Sequence, residues 1–123
     1  MFLILVNMSD YLSQFKKNSG TKNNSGKGTP RPGEIWMVPN LDNIKDRPVL
    51  VIAFSQNMVT FRKCTSQVST SRPRDLIEDY DLAGLEKETY VDPEIRRTPR
   101  NHLAWKIGEL SEYDREKFGI VDS

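Results

Sequence analysis

The residues best suited to chemistry stand at the ends of two apolar stretches of this sequence. Arg47 directly precedes the run of residues 48–52, and Thr65, Ser66 and Gln67 close the next stretch. A guanidinium can give two parallel hydrogen bonds to an anion, and hydroxyl and amide groups can add further contacts. If the two stretches are neighbouring strands, these groups meet at one rim of a sheet. The pattern predicts an anion site there, with phosphate as the expected anion.

The stretches themselves have the composition of β-strands. Residues 47–54 form an apolar, β-branched run that is too short for a helix and predicts a buried central strand. Residues 55–57 have turn chemistry, and Met58–Thr65 alternates as an antiparallel partner would. A further strand is predicted over residues 34–38, ahead of Pro39. Three strands joined by short turns predict a small, strongly curved sheet.

The second half of the sequence predicts shorter elements. In order, these are a hydroxyl-rich basic loop (66–75), one helical turn closed by a glycine (81–85), a strand (88–92) continued past Pro93 (95–98), a last strand (105–108), and a terminal helix that starts with a capping box (111–114) and ends at Gly119. The sum is about five short strands with little helix. The predicted fold class is mainly β, a small barrel or curled sheet.

The N-terminal region differs in composition from the rest. Residues 18–32 have no large apolar side chain to bury, and residues 9–17 favour a short amphipathic helix at most. We therefore predict a flexible tail over residues 1–32 and one domain over residues 33–123. The opening run of residues 1–6 is too short for an export signal or a membrane span, and Met8 offers an alternative start.

Charge and cysteine content restrict the classes of function. The net charge is +1, but residues 1–33 carry +4, residues 34–74 carry +3 and residues 75–123 carry −6. A basic front and middle suit a protein that meets a polyanion, although a lysine-rich tail and a solvated acidic helix would give the same balance. With only Cys64 and His102 available, a disulfide is excluded and a protein-only zinc site is disfavoured. We expect a reducing cytoplasmic setting, no metal and no cofactor.

Seven segments of the chain, taken in order, resemble the MazF/PemK toxin family. They are Pro-Gly-Glu-Ile-Trp at 32–36, Asp-Arg-Pro-Val-Leu-Val-Ile at 46–52, Thr-Ser-Gln at 65–67, Asp-Tyr-Asp-Leu-Ala-Gly-Leu at 79–85, Thr-Tyr-Val at 89–91, Arg-Thr at 97–98 and Lys-Ile-Gly-Glu-Leu-Ser at 106–111. The resemblance implies an SH3-like barrel with a C-terminal helix, a homodimer, and a bacterial toxin that cleaves single-stranded RNA, including mRNA, and is paired with a cognate antitoxin protein. It implies no membrane partner.

In that family an arginine before Pro-Val and a threonine after the third strand serve the chemistry, and Arg47 and Thr65 match them. Cleavage without a metal turns the 2′-hydroxyl of RNA on the adjacent phosphate, so charge must be stabilised and protons moved. Arginine is a poor proton carrier, so another group must act as acid or base. The candidates for that role are Glu34, Asp46, Asp92, Glu94 and His102. RNA contacts are predicted for Lys45, Ser66, Gln67, Arg72, Arg74 and Arg97.

The sequence departs from the family pattern at one important connection. Residues 40–46 are short and lack the Gly-Ser/His-Glu-Gln segment that folds over the site in family members, so base choice cannot be carried over. Some members also use an Arg and an Asp flanking a cysteine near the fifth strand, where this chain has Asp92-Pro93-Glu94. The shortened connection leaves open a second function, a non-cleaving SH3-like binding module or gyrase-poison-like protein. A third is a regulatory protein whose tail recruits a partner.

Structural roles compete with the functional ones for several side chains. Arg47 could form an exposed ion pair with Asp46, and Thr65 could simply pack in its strand. The tryptophans, Trp36 and Trp105, fit core or dimer-interface anchors as well as base-stacking platforms. Cys64 fits a small buried residue.

Overall fold

The computed structural model describes residues 28–66 and 75–120. Within these ranges the strands are β1 (Glu34–Leu41), β2 (Lys45–Ser55), β3 (Met58–Thr65), β4 (Tyr90–Pro99) and β5 (Trp105–Glu109), and the α-helix is α1 (Glu112–Lys117). A 3₁₀ turn, Arg100–His102, joins β4 to β5. No helix in this part of the chain is long and apolar enough to cross a membrane.

The strands form one antiparallel sheet in the order β4-β3-β2-β1-β5. β2 and β3 are joined by Gln56 and Asn57, both with positive φ (53° and 64°), which is the backbone of a tight hairpin turn that matches strand twist. Each of the four strand pairings contains one register shift, and such irregularities bend and twist a sheet. The predicted mainly β fold with a curved sheet and a C-terminal helix is confirmed.

Both faces of the central strands are buried. Along β1 the alternation of a strand sends Ile35 and Met37 to one face and Trp36 and Val38 to the other. The first core cluster consists of Ile35, Met37, Leu50, Cys64, Ile77, Ala83, Val91, Ile107, Leu110 and Ile120. The second consists of Trp36, Val38, Leu41, Val49, Val51, Val59, Phe61 and Leu103. The apolar runs of β1 and β2 therefore reflect burial on two sides.

The two tryptophans belong to the interior, as core anchors would. Trp36 is almost completely buried, and the guanidinium of Arg100 lies over its ring, 4.8 Å from the centroid. Burial lowers the pKa of Arg100. Trp105 is half-buried and packs against the first core cluster. In this monomer the sequestered Trp36 ring cannot stack on a nucleic-acid base.

Two elements of the second half differ in extent from the predictions. The two strand segments expected on either side of Pro93 form the single strand β4, with Pro93 exposed. The predicted helical turn is a series of turns over residues 78–84 that ends at Gly84, whose φ is 85°. Half of the predicted capping box is present, because Ser111 is the N-cap of α1 and its Oγ accepts the backbone N–H of Asp114 at 3.2 Å. The Asp114 carboxylate accepts the backbone N–H groups of Glu78 and Asp79 instead of closing the box.

The part of the predicted tail that the structure describes contacts the 3₁₀ turn and α1. The guanidinium of Arg100 donates to the carbonyl oxygen of Gly28 at 2.6 Å, and that of Arg115 donates to the carbonyl oxygen of Pro32 at 3.1 Å. Pro30 is buried. Residues 1–27, which make up the rest of the predicted tail, lie outside the described residues, and the domain boundary stays a prediction.

Candidate functional site

A cavity of about 190 Å³ lies where β2 begins and β3 ends. Its walls contain both Arg47 and Thr65, the two residues that the sequence singles out for catalysis. Its apolar lining is formed by Met37, Pro48, Cys64, Leu85 and Ile107. Its polar lining is formed by Lys45, Asp46, Arg47, Thr65, Ser66, Glu86, Lys87 and Thr89. The site therefore combines an apolar surface with charged and hydroxyl groups.

Strand register brings Arg47 and Thr65 to the same place. β2 and β3 are paired with Val49 opposite Lys63, and the same register continued by two residues sets Arg47 opposite Thr65. Arg47 is also paired with Val38 on β1, and Thr65 with Tyr90 on β4. The backbone at Arg47 is thus held by β1, and the backbone at Thr65 is held by β4. The structure thus places Arg47 and Thr65 at one cavity, whereas Gln67, also predicted at this rim, lies outside the described residues.

The charges around the cavity favour an anion near Arg47. The lining carries three cations, Lys45, Arg47 and Lys87, and two carboxylates, Asp46 and Glu86. Asp46 is engaged elsewhere, because its Oδ1 accepts the backbone N–H of Asn40 at 2.8 Å. Among the residues that the structure describes, the guanidinium of Arg47 forms no hydrogen bond or ion pair. The alternative of an Arg47–Asp46 ion pair is therefore not what the described residues form.

Cys64, which also lines the cavity, is not suited to act as a nucleophile or a proton carrier. Cys64 is fully buried in the first core cluster, and burial raises the pKa of its thiol to about 12. A thiol with such a pKa stays protonated and unreactive near neutral pH. Cys64 is the small buried residue that the sequence indicates.

Of the five proposed proton carriers, Asp46 lines the cavity. Glu34 lies in a separate groove of about 1080 Å³, and its buried carboxylate accepts from the Trp36 indole at 2.8 Å and pairs with Lys106 at 3.2 Å. With the backbone N–H of Arg31, which donates to Oε1 at 3.0 Å, the Glu34 carboxylate has three partners in all. Such a carboxylate fixes the indole and is poorly placed to move protons in the other cavity.

The three remaining candidates for proton transfer, Asp92, Glu94 and His102, lie on β4 and in the 3₁₀ turn that follows it. Asp92 accepts the backbone N–H of Glu94 at 3.0 Å, and Glu94 is exposed. His102 shares a 2.7 Å hydrogen bond between its Nδ1 and the Oγ1 of Thr98. None of these three acids and bases lines the 190 Å³ cavity.

The predicted RNA-binding residues are divided by the structure. Lys45 and Ser66 line the cavity, whereas Arg97 is exposed on β4 opposite Thr60 and does not. The other three, Gln67, Arg72 and Arg74, lie outside the described residues. Their roles in RNA binding stay predictions.

Sequence reasoning missed one wall of the cavity. Leu85, Glu86, Lys87 and Thr89 precede β4, and Thr89 is buried with its hydroxyl donating to the carbonyl oxygen of Lys87 at 2.8 Å. The signal that points to them is structural: β4 starts opposite Thr65, so the residues just before Tyr90 must pass the end of β3. That pairing cannot be read from the composition of the segment.

The short connection between β1 and β2 is a closed hairpin. Leu41 pairs with Lys45, and the turn between them contains Asp42 and Asn43 with positive φ (58° and 60°). Asparagine and aspartate tolerate this backbone region better than most residues. All residues of this connection belong to the hairpin turn. None is left to form the segment that folds over the site in members of the MazF/PemK family.

Comparison with known proteins identifies the fold. No protein-family model matches the chain, and no curated protein matches it. An endoribonuclease in complex with its cognate antitoxin from a mycobacterial species superposes with a TM-score of 0.57 at 14% identity, over 74% of this chain and 88% of that one. The Mycobacterium tuberculosis toxin MazF-mt6 superposes with a TM-score of 0.53 at 21% identity, over 72% of this chain and 98% of that one.

These similarities define the class of fold. The chain has a MazF-like fold, which the resemblance of its sequence segments to the MazF/PemK family implies. Identities of 14% and 21% establish the fold, and a shared fold does not by itself determine activity. The function must be argued from the cavity.

Proposed function

We propose that this protein is an endoribonuclease that cleaves single-stranded RNA without a metal ion and acts as the toxin of a toxin-antitoxin pair. The observation that carries the proposal is the single cavity shared by Arg47 and Thr65, the two positions that match the family's catalytic residues. The MazF-like fold, which is also that of a solved endoribonuclease, supports the same assignment.

In the proposed reaction the 2′-oxygen of one nucleotide attacks the adjacent phosphorus and the 5′-oxygen of the next nucleotide leaves. The products are a 2′,3′-cyclic phosphate and a free 5′-hydroxyl. Arg47 donates to the non-bridging oxygens, where negative charge increases in the transition state, and Thr65 orients a phosphate oxygen or the 2′-hydroxyl. Lys45 and Lys87 supply further positive charge around the phosphate.

Proton transfer needs a different group from these. Asp46 is the one of the sequence-derived candidates that lines the cavity, with Oδ1 held by Asn40. We assign to Asp46 the removal of the proton from the 2′-hydroxyl, and the departing 5′-oxygen takes up a proton from solvent water. Glu86 is the second carboxylate within the lining.

The test is incubation of the purified protein with single-stranded RNA in excess EDTA, with product ends determined by mass spectrometry. We expect fragments that end in cyclic phosphate. Arg47→Ala should abolish them, whereas the matched control Arg31→Ala, an exposed arginine in the separate groove, should not. Intact RNA with folded wild-type protein in excess would overturn the proposal and favour the non-cleaving binding module.

The proposed partners follow from the same assignment. We propose an antitoxin protein and a second copy of this chain, the first supported by the solved neighbour that is bound to its cognate antitoxin. Co-purification with the product of an adjacent reading frame tests the antitoxin. Light scattering of the purified protein tests the homodimer.

A further inference from the structure

Asp114 holds a distant segment of the chain from inside the fold. It lies in α1 and is completely buried. Its Oδ1 accepts the backbone N–H of Glu78 at 3.0 Å, and its Oδ2 accepts the backbone N–H of Asp79 at 2.8 Å. The hydroxyl of Ser111 donates to the carboxylate of Asp79 at 2.6 Å and reinforces the contact. The start of the 78–84 turns is thereby fixed to α1.

The end of the same turns is fixed to β5 by close backbone contact. A Cβ added at Gly108 would overlap the carbonyl group of Ala83, and one added at Gly84 would lie 2.6 Å from the carbonyl oxygen of Ile107. Such an approach requires glycine on both sides. The 78–84 turns are therefore fixed at both ends to the C-terminal third of the chain.

The cavity wall continues directly from these turns. Leu85, Glu86, Lys87 and Thr89 follow Gly84, and the carbonyl oxygen of Thr89 accepts the backbone N–H of Ile77 at 2.9 Å. Ile77 directly precedes the two residues whose amides bond to Asp114. The Asp114 carboxylate is thus connected to the cavity wall at Thr89 through the backbone of residues 77–79.

We propose that Asp114 is a positioning residue for the candidate active site. Its carboxylate sets the place of residues 77–79, and these set Thr89. Thr89 and Lys87 line the same cavity as Arg47 and Thr65. The kinetic consequence rests on the proposed function, whereas the structural consequence does not. Asp114→Asn keeps the size of the side chain but turns one acceptor into a donor that opposes an amide N–H.

The experiment compares Asp114→Asn with Val59→Ala in the full-length chain. Val59 is fully buried in the second core cluster, so its truncation destabilises the fold without contact with the 78–89 segment. Well below both melting temperatures, we expect Asp114→Asn to lower kcat/KM for RNA about ten-fold and Val59→Ala to leave it unchanged. Hydrogen exchange at residues 85–89 should accelerate in Asp114→Asn only.

The outcomes separate the two proposals. Equal kcat/KM values and equal exchange at residues 85–89 in the two variants would show that Asp114 is merely structural and would overturn the positioning role. If the wild type cleaves no RNA, the proposed function fails. The positioning role is then decided by exchange at residues 85–89 alone, faster exchange in Asp114→Asn supporting it and unchanged exchange overturning it.

Discussion

The guanidinium of Arg96 and the carboxylate of Asp42 form a two-hydrogen-bond ion pair, with distances of 3.0 and 2.5 Å. Arg96 lies on β4 and also stands over the Phe61 ring of β3, 5.6 Å from its centroid. Asp42 lies in the β1–β2 turn. The pair therefore bridges β3 and anchors the turn from which Lys45 and Arg47 enter the cavity.

The first prediction concerns the titration of Asp42. The hydrogen bonds from Arg96 hold the pKa of this carboxyl below its usual 3.8, with smaller contributions from Lys63 and Arg47. Because the pKa is lower in the folded protein than in the unfolded chain, the ion pair stabilises the fold above about pH 4. That contribution is lost as the pH falls through the folded-state pKa.

Carbon-detected NMR of the Asp42 carboxyl checks this. We expect a midpoint below 3.8 in the wild type and an upward shift in Arg96→Gln. Since the pair is solvent-exposed, 1 M salt should reduce the difference between the two proteins. Equal midpoints at low salt would contradict the ion pair.

Cys64 should resist alkylation in the native protein. With a pKa of about 12 and a fully buried sulfur, the thiolate fraction at pH 8 is about one in ten thousand. Mass spectrometry after treatment with iodoacetamide should show no label in buffer and complete labelling in guanidinium chloride. Labelling at the same rate in both conditions would show that the floor of the cavity opens readily.

At position 47 the shape of the cation should matter as well as its charge. Arg47→Ala should reduce kcat for RNA by at least about a hundred-fold, because a donor to the transition-state phosphate is lost. Arg47→Lys keeps the charge but gives up the planar pair of donors, so it should recover only a small part of the activity. Single-turnover cleavage measures both, and full activity in Arg47→Lys would reduce the role of Arg47 to charge alone.

Gly108→Ala should destabilise the fold by roughly 1 to 3 kcal/mol, because the new methyl group overlaps the carbonyl of Ala83 and the turn must move. Gly28→Ala is the matched control, since a Cβ at Gly28 meets nothing within 4 Å. Chemical denaturation gives both values. Similar free energies of unfolding for the two variants would mean that residues 83 and 84 are not packed against β5.

The residues Arg47 and Thr65 could be located from the sequence because they are held by local structure. A two-residue turn at Gln56 and Asn57 joins β2 to β3, and the apolar run of β2 marks the buried strand. The register shift between Val51 and Ala53, which moves the pairing by one residue before Arg47, is not marked in this way. The N-cap at Ser111 is equally local. Patterns within one hairpin or one helix turn are carried by neighbouring residues, and these can be read from a single chain.

The cavity wall formed by residues 85–89 could not be located in this way. Asp114 reads as a helix-capping residue, yet its carboxylate also binds amides at Glu78 and Asp79, some 35 residues earlier in the chain. The close packing of Gly84 on Ile107 likewise depends on which segments meet in three dimensions. No periodicity in residues 78–89 records those contacts, so their part in the site became visible only in the folded chain.

The place of β5 beside β1 has a consequence for biosynthesis. Synthesis proceeds from the N-terminus, so β1, β2 and β3 leave the ribosome long before Trp105–Glu109, the strand that completes the edge of the sheet. Until β5 emerges, Ile107 is missing from the cavity and the 83–84 turn has nothing to pack against. A nascent or prematurely terminated chain that lacks β5 therefore carries Arg47 and Thr65 without the finished cavity.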